Sequence, residues 1–216
     1  MQKGLMELVF ILDKSGSMSG LEVDTIGGFN AMLDRQRTVE GACHITTALF
    51  DNGYKLLHDR IDIKAVRAMT PREYHADGST ALLDAIGMTI RKIINAQRHT
   101  ADAYRAEKVM FVIMTDGEEN ASRVYSAETV RALIERQKEK YGWEFVFLGA
   151  NIDAIQTAGR FGIDADRAVD YLADAEGTRL SYNAMAQAAA AFREKGSFDA
   201  SCLMPVHADT KRRGWK

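Results

Sequence analysis

The chain of 216 residues lacks the cysteine and histidine patterns of disulfide scaffolds and zinc sites. Its only two cysteines, Cys43 and Cys202, form no Cys-x-x-Cys pair and no Cys/His ligand pattern. Two ordinary thiols fit a reduced cytoplasmic setting better than a secreted, disulfide-bonded one. The five histidines show no ligand spacing either: His44, His58, His75, His99 and His207.

Charge and hydropathy exclude further classes of protein. The chain has 28 Lys plus Arg against 30 Asp plus Glu, a net charge of −2, so nothing calls for nucleic acid or an anionic membrane surface as a partner. No apolar run reaches the length of a transmembrane helix. Lys3 precedes an apolar stretch as in a signal peptide, but Glu7 interrupts that stretch and no small-residue cleavage site follows. We therefore expect a soluble, cytoplasmic protein.

The chain contains enough apolar residues to form one hydrophobic core. Apolar residues make up 46% of the sequence, and the length makes a single domain the default. We assign residues 1–196 to this domain. Residues 197–216 end in Lys-Arg-Arg-Gly-Trp-Lys, and we expect them to form a loose C-terminal tail.

Apolar runs that suit buried strands alternate with segments of helical periodicity. Asn52-Gly53 lies between two such runs and predicts a hairpin. Buried strands that alternate with helices predict an α/β fold, a three-layer, doubly wound, mostly parallel sheet in which the hairpin adds one antiparallel edge strand. The predicted strands are 8–12, 43–50, 54–61, 109–114, 144–149 and 168–172, and the predicted helices are 21–35, 81–96, 127–140, 154–161 and 178–195.

The most informative stretch is ELVFILDKSGSMSG, Glu7 to Gly20. A strongly apolar strand ends abruptly at Asp13, and Ser15 and Ser17 follow at alternate positions. One carboxylate and two hydroxyls therefore fall in a tight loop at the carboxyl end of a buried strand. Hard oxygen donors of this kind suit a hard divalent cation such as Mg²⁺ or Mn²⁺.

Two downstream segments supply further oxygen ligands. The fourth predicted strand runs into a second acidic loop that contains Asp116, and Gly117 permits a tight turn there. Between the two loops, Thr80 offers a hydroxyl at the start of a helix, where Asp77 could support it. If the first and fourth strands are neighbours, as doubly wound sheets permit, all three segments converge at the edge of the sheet where such folds bind ligands.

This set of residues resembles the von Willebrand factor A (VWA) domain. Asp13-x-Ser15-x-Ser17, Thr80 in a Gly-Ser-Thr turn and Asp116 in Thr-Asp-Gly match all five ligand positions of that family's metal-ion-dependent adhesion site (MIDAS). The resemblance implies a Rossmann-like sheet. It also implies that the three hydroxyls bind the cation, and that the two aspartates bind it directly or through water.

The resemblance covers Leu5 to about Lys195 and is closest to the small free-standing bacterial members of the family. It implies a binding module rather than an enzyme, with one coordination position of the cation open to an acidic residue of a partner protein. Intracellular bacterial relatives commonly act as partners of ATPases, chelatases or stress-response complexes. The resemblance therefore suggests a partner of that kind.

Other interpretations of the same residues remain open at this point. Asp13, Ser15 and Ser17 are also typical of a turn and a helix N-cap, and Thr80 could cap the helix that starts at residue 81. Catalysis is a second function, because an aspartate after the first strand also suits a metal-dependent hydrolase or phosphatase. That chemistry requires a second carboxyl, the general acid, two residues after the first aspartate, and this chain has Ser15 at that position. A nucleotide-binding loop is not supported, since neither Gly-x-Gly-x-x-Gly nor a Walker A pattern occurs.

Overall fold

A computed structural model describes residues 1–214, and those residues form one α/β unit. They contain six strands and six α-helices, which alternate except that the second strand leads directly into the third and no strand separates the last two helices. The strands are β1 (Gln2–Asp13), β2 (Cys43–Phe50), β3 (Tyr54–Asp62), β4 (Ala106–Thr115), β5 (Glu144–Gly149) and β6 (Ala168–Asp170). The α-helices are α1 (Glu22–Thr38), α2 (Leu82–His99), α3 (Ala127–Tyr141), α4 (Ala154–Arg160), α5 (Ala175–Lys195) and α6 (Met204–Arg212).

The six strands form one sheet in the order β3-β2-β1-β4-β5-β6. Every pairing is parallel except that of β2 with β3, which is antiparallel as the Asn52-Gly53 turn predicts. β1 lies beside β4, with Leu12 opposite Met114. The predicted fold class is therefore confirmed, and so is the adjacency of the first and fourth strands on which the predicted site depends.

The sheet divides the core into two layers because successive residues of a strand point to opposite faces. Leu8, Phe10 and Leu12 of β1 pack on one side with the apolar residues of α1 and α5. Val9 and Ile11 pack on the other side with α2, α3 and α4. All five side chains are buried, so β1 is a central strand that both layers hold in place.

Helices α1 and α5 pack closely against each other at Gly28 of α1, which has no side chain. A Cβ atom on Gly28 would come within 2.4 Å of Cδ2 of Tyr182, whereas one on neighbouring Gly27 would meet nothing within 4 Å. Arg193 of α5 is also buried, and its guanidinium donates to the carbonyl oxygens of Gln36, Val39 and Gly41 at the end of α1. A cation that binds the free carbonyls at a helix C-terminus stabilises that end.

The prediction of a loose tail is wrong for most of residues 197–214. Residues Ala200–Leu203 form a 3₁₀ turn that leads into α6, and Phe198, Leu203 and Val206 are buried in the core beside α5. The prediction failed because these apolar residues are spaced among polar ones, without the long apolar run that marks a core element. Trp215 and Lys216, at the end of the predicted tail, lie outside the described residues.

Two of the tail's basic residues also have partners within the fold. Arg212 and Arg213 pair with Asp209, which is 4% exposed, and Arg213 bonds to Asp174 at 2.5 Å as well. These ion pairs fix α6 beside the start of α5. Along residues 1–214, none of the helices has the length and the apolar content needed to cross a membrane.

Candidate metal centre

The candidate site lies where β1 and β4 end side by side. Asp13 is the last residue of β1, and Asp116 directly follows Thr115, the last residue of β4. The backbone N–H of Gly16 donates to the carbonyl oxygen of Gly78 at 3.0 Å, which fastens the loop after β1 to the segment before α2. Gly78 has a φ of +74°, a conformation that favours glycine. The three predicted segments therefore meet at the carboxyl edge of the sheet.

A chain of hydrogen bonds joins the three predicted hydroxyls to Asp116. The Oγ1 of Thr80 donates to the Oγ of Ser15 at 3.1 Å, and that atom lies 3.0 Å from the Oγ of Ser17. The Oγ of Ser17 in turn donates to the Oδ1 of Asp116 at 2.5 Å. Four of the five predicted ligands are thus in direct contact, although Ser17 and Asp116 are 99 positions apart in the chain.

Asp13, the fifth predicted ligand, is fixed from both sides of its carboxylate. Its Oδ1 accepts from the backbone N–H of Ser15 at 2.7 Å, and its Oδ2 accepts from the Oγ1 of Thr115 at 2.5 Å. The hydroxyl of Tyr74 donates to the carbonyl oxygen of Asp13. Asp13 is only 2% exposed, and burial raises the pKa of its carboxyl, although the hydrogen bonds from Ser15 and Thr115 oppose the shift.

Asp116 has one carboxylate oxygen that is not hydrogen-bonded by any of the described residues. It is 1% exposed, and its Oδ2 is buried with no hydrogen-bond partner among them. Burial raises the pKa of Asp116 to about 6, and the nearby charge of Asp13 adds to the shift. Two buried carboxylates with one free oxygen constitute a place where a positive charge would be stabilised.

The capping interpretations of these residues are not supported by the geometry. Ser15 precedes the 3₁₀ turn Gly16–Met18, but its side chain makes no capping hydrogen bond. The N-cap position of α2 is Ala81, so Thr80 does not cap that helix. Both hydroxyls instead take part in the side-chain network of the site.

Side chains of Glu119, Asp84 and Asn120 hold the acidic loop after β4 in place, a role that the sequence did not indicate. The carboxylate of Glu119 accepts from the backbone N–H groups of Leu83 and Ser122, and that of Asp84 accepts from three successive N–H groups, those of residues 123–125. Asn120 accepts from the N–H of Thr80. These bonds tie the loop to the first turn of α2.

Three further residues neighbour the ligands, and for one of them, Asp77, the structure does not support the role that the sequence suggested. Asp77 is exposed and accepts from the N–H of Gly78, so it does not support the Thr80 hydroxyl. Glu118 is exposed at the rim of the site. Thr115 contacts Asp13 directly and was missed, although its place just before Asp116 at the end of a buried strand was a usable signal.

The donor set fits a hard cation rather than a soft one. Within residues 1–214, no group of three or more His, Cys, Asp or Glu residues is placed to hold a metal ion. The site instead offers two carboxylates and three neutral hydroxyls, all of them oxygen donors. Mg²⁺ and Mn²⁺ accept such ligands and keep several waters. The Oδ2 of Asp116 also fits a cation, because it is a buried anionic oxygen that has no hydrogen-bond partner among the described residues.

No protein-family model and no curated protein matches the sequence. Solved structures do match. Proximal thread matrix protein 1 (PTMP1) from the mussel byssus superposes with a TM-score of 0.58 and 14% identity over 87% of this chain and 46% of that one. VWA2, the ArnB paralog from Sulfolobus acidocaldarius, gives a TM-score of 0.54 and 15% identity over 87% of this chain and 45% of that one.

A von Willebrand factor type A protein from Catenulispora acidiphila is also similar, with a TM-score of 0.54 and 14% identity over 86% of this chain and 42% of that one. A further PTMP1 structure has a zinc-occupied MIDAS motif, with a TM-score of 0.53 and 15% identity over 82% of this chain and 46% of that one. This chain spans less than half the length of each of these proteins. At these identities the similarity shows the fold, which is VWA-like.

Proposed function

We propose that this protein is a metal-ion-dependent protein-binding module. A divalent cation, Mg²⁺ or Mn²⁺, is held by the hydroxyls of Ser15, Ser17 and Thr80 and by the carboxylates of Asp13 and Asp116. The cation bridges to an acidic residue on a partner protein. We propose a component of an ATPase or stress-response complex as that partner, as the family resemblance implies.

The observation that carries the proposal is the buried, unpartnered Oδ2 of Asp116. In folded proteins such an atom is rare and costly, because the lost hydration is not replaced. Here it sits in a carboxylate whose other oxygen already accepts from Ser17. A cation bound by this carboxylate would remove the cost, and the neighbouring hydroxyls supply further oxygens that it needs.

The choice of an acidic group on the partner follows from the charge of the donor set. Three of the five donors are neutral hydroxyls, so the two carboxylates balance a divalent cation without an excess of negative charge. An anionic ligand at an open coordination position therefore meets no strong local repulsion. Ser17 is exposed while Asp13 and Asp116 are buried, so a partner would reach the cation from the side of Ser17.

A groove beside the site gives a partner more to contact than one cation. It has a volume of about 790 Å³, and its lining includes Glu118, Asn151 and Asp153 as well as His207 and Lys211 of α6. Because Asn151 donates to the carbonyl oxygen of Asp116, the groove adjoins the metal site. A polypeptide segment that presents its acidic residue to the cation can continue along this groove.

The alternative function, a metal-dependent hydrolase or phosphatase, has less support. The residue two positions after Asp13 is Ser15, whose hydroxyl is engaged with Thr80 and Ser17. A hydroxyl at this position does not replace the carboxyl that acts as general acid in that chemistry. A two-metal hydrolase requires more carboxylate ligands than the two that Asp13 and Asp116 supply.

The function is tested with Ser17→Ala and a matched control, Ser19→Ala. Both serines are exposed and lie in the same loop, but only Ser17 contacts Asp116. Asp13→Ala is a less selective variant, since Asp13 also accepts two hydrogen bonds that hold the loop. Titration calorimetry with MgCl₂ and MnCl₂ should show binding by the wild type and by Ser19→Ala, and at least tenfold weaker binding by Ser17→Ala.

The partner is sought by affinity capture from the source cell with Mg²⁺ or with EDTA, followed by mass spectrometry. A protein retained by wild type and Ser19→Ala with Mg²⁺, but not with EDTA or by Ser17→Ala, supports the binding module. Metal binding without such a partner, together with hydrolysis of a phosphate ester that Ser17→Ala loses, would instead establish the enzyme.

A further inference from the structure

A second cavity opens at the amino edge of the sheet, at the end opposite the metal site. It has a volume of about 490 Å³ and lies between the last turns of α2 and α3, next to the first residues of β4. Ligand cavities commonly measure about 300–1,000 Å³. The cavity is therefore large enough for a small organic molecule, and none of the five predicted metal ligands lines it.

Gln97 gives this cavity an unmet hydrogen-bonding requirement. The residue is 8% exposed, and both its Oε1 and its Nε2 are buried without a partner among the described residues. An amide with both ends unpaired is unusual, since more than about nine in ten buried polar groups are bonded. Because Gln97 lines the cavity, a ligand there could bond to its amide as donor and as acceptor.

Arginines line the same cavity, and most of them have no ion pair. Arg91, Arg98 and Arg136 are exposed and pair with no acidic residue in the described part of the chain. Arg105 pairs with Asp102, but its buried Nε is unpartnered. We call the space bounded by these four residues the arginine cavity.

The negative groups around the arginine cavity do not balance these charges. Glu107 is the only acidic residue that lines it in the described chain, and its carboxylate accepts from the backbone N–H of Gly4. The C-terminal ends of α2 and α3 each add a partial negative charge of about half a unit. Three unpaired guanidinium groups exceed one carboxylate and two helix ends, so the cavity favours an anion.

Part of the cavity wall is apolar. Trp143 is 6% exposed, lines the cavity, and stacks on Phe111 with ring centroids 5.6 Å apart. Ile94, Val109 and Leu133 line it as well. An apolar wall, one unpaired amide and a cationic rim together fit a molecule with an uncharged organic body and an anionic group at one end.

We propose that the arginine cavity binds a small phosphorylated organic molecule, the class that includes nucleotides and sugar phosphates. The guanidinium groups hold the phosphate, for which their planar fork of N–H donors is suited, and the amide of Gln97 bonds to the uncharged part. This site does not depend on the proposed metal site. It also needs no glycine-rich phosphate loop, because side chains rather than backbone N–H groups contact the phosphate.

Binding is measured by the fluorescence of Trp143 in a Trp215→Phe background, in which Trp143 is the single tryptophan. EDTA is present, so the metal site plays no part. The probes are nucleoside monophosphates, a hexose phosphate, an unphosphorylated nucleoside and inorganic phosphate. We expect saturable binding of at least one phosphorylated organic probe, at least tenfold tighter than that of inorganic phosphate and of the unphosphorylated nucleoside.

Two variants and one control assign the binding to the cavity. Gln97→Leu removes both unpaired polar atoms, so it should weaken binding about tenfold or more without lowering the melting temperature. Arg98→Ala together with Arg136→Ala should weaken it further. Arg179 of α5 lies on the other face of the sheet and is exposed, with no ion pair to any residue of 1–214, so Arg179→Ala should leave binding unchanged.

Several results would overturn the proposal. They are binding by none of the phosphorylated probes, equally tight binding of inorganic phosphate, unchanged affinity in Gln97→Leu, and equal losses in the Arg179→Ala control and the cavity variants. Because the titrations contain EDTA, failure here leaves the metal-dependent partner binding untouched, and failure of the metal site leaves these titrations unaffected.

Discussion

The Oγ1 of Thr115 donates a hydrogen bond to the Oδ2 of Asp13 at 2.5 Å, across 102 positions of the chain. The two residues end neighbouring parallel strands, so this bond joins the strand ends at the point where the candidate site begins. It also uses one carboxylate oxygen of Asp13 and fixes the orientation of the carboxylate.

Thr115→Val keeps the shape of the side chain and removes this donor. We expect the free energy of unfolding to fall by about 1–3 kcal/mol, because the buried Oδ2 of Asp13 loses a partner. Metal affinity should fall as well, since Asp13 loses its orientation. The matched control is Thr178→Val, which replaces a buried hydroxyl that has no partner within residues 1–214 and should be neutral or stabilising. Urea denaturation compares the two, and equal effects would contradict this role of Thr115.

Asp116→Asn tests whether the site is strained without a cation. Burial raises the pKa of Asp116 in the folded protein to about 6, above its ordinary value of 3.8. Ionisation therefore opposes folding above pH 6, by about 1–3 kcal/mol. In EDTA at pH 7.5, the Asn variant should melt at a higher temperature than the wild type. This difference should shrink as the pH falls from 6 through the ordinary pKa of 3.8, because below that value Asp116 is protonated in both the folded and the unfolded state.

Addition of Mg²⁺ at pH 7.5 should reverse that order. The wild type gains stability from the bound cation in proportion to the logarithm of its concentration, whereas the Asn variant has lost one of the two charged ligands. Melting curves with and without Mg²⁺ provide the measurement. A wild type that is insensitive to Mg²⁺ would argue against the proposed metal site, whatever the result in EDTA.

Gly28→Ala and Gly27→Ala should have opposite effects although the residues are adjacent in α1. A methyl group at position 28 would lie 2.4 Å from a ring carbon of Tyr182, so α1 and α5 must separate or the ring must move. We expect a loss of about 1–3 kcal/mol. At position 27 the methyl group meets nothing and improves helix propensity, which should add up to about 1 kcal/mol. Thermal unfolding of the two variants would distinguish this packing from a general intolerance of α1 to substitution.

The two cysteines should differ in reactivity. Burial raises the pKa of the Cys43 thiol to about 12, so at pH 8 only about one molecule in ten thousand has the reactive thiolate. Cys202 is half-buried in the 3₁₀ turn before α6. Iodoacetamide at pH 8 should therefore add one group to the native protein, at Cys202, and two groups to the urea-unfolded protein. Peptide mass spectrometry identifies the site, and native labelling of Cys43 would contradict its burial.

Most of the fold could be predicted from the sequence because its signals are local. β2 and β5 have the predicted bounds, 43–50 and 144–149, since turn residues flank both apolar runs. The helix bounds are less accurate: α2 continues to His99 beyond its predicted end at residue 96, and α5 begins at Ala175 rather than at 178. Those extensions are polar turns, which periodicity alone does not separate from loops.

The contacts that position the site were harder to predict. Asp84 and Glu119 bond to backbone N–H groups in the opposite segment, more than 30 positions away, and nothing in the neighbouring residues indicates that pairing. Arg193 is similar, since it binds carbonyl groups about 150 positions away. The candidate ligands could be predicted because each follows a strand or precedes a helix, whereas their supports depend on which segments the fold brings together.

If the protein binds a partner through a cation as proposed, α6 would limit how that partner can be oriented. A complex held by a single metal–carboxylate contact could swivel about that contact. His207 and Lys211 of α6 line the groove beside the site, together with Asn151 and Asp153. If a partner binds as proposed, contacts with these residues would restrict its rotation relative to the sheet. Under the proposed function, the residues that resembled a tail in the sequence would thus help to set the angle at which a second protein stands on this one.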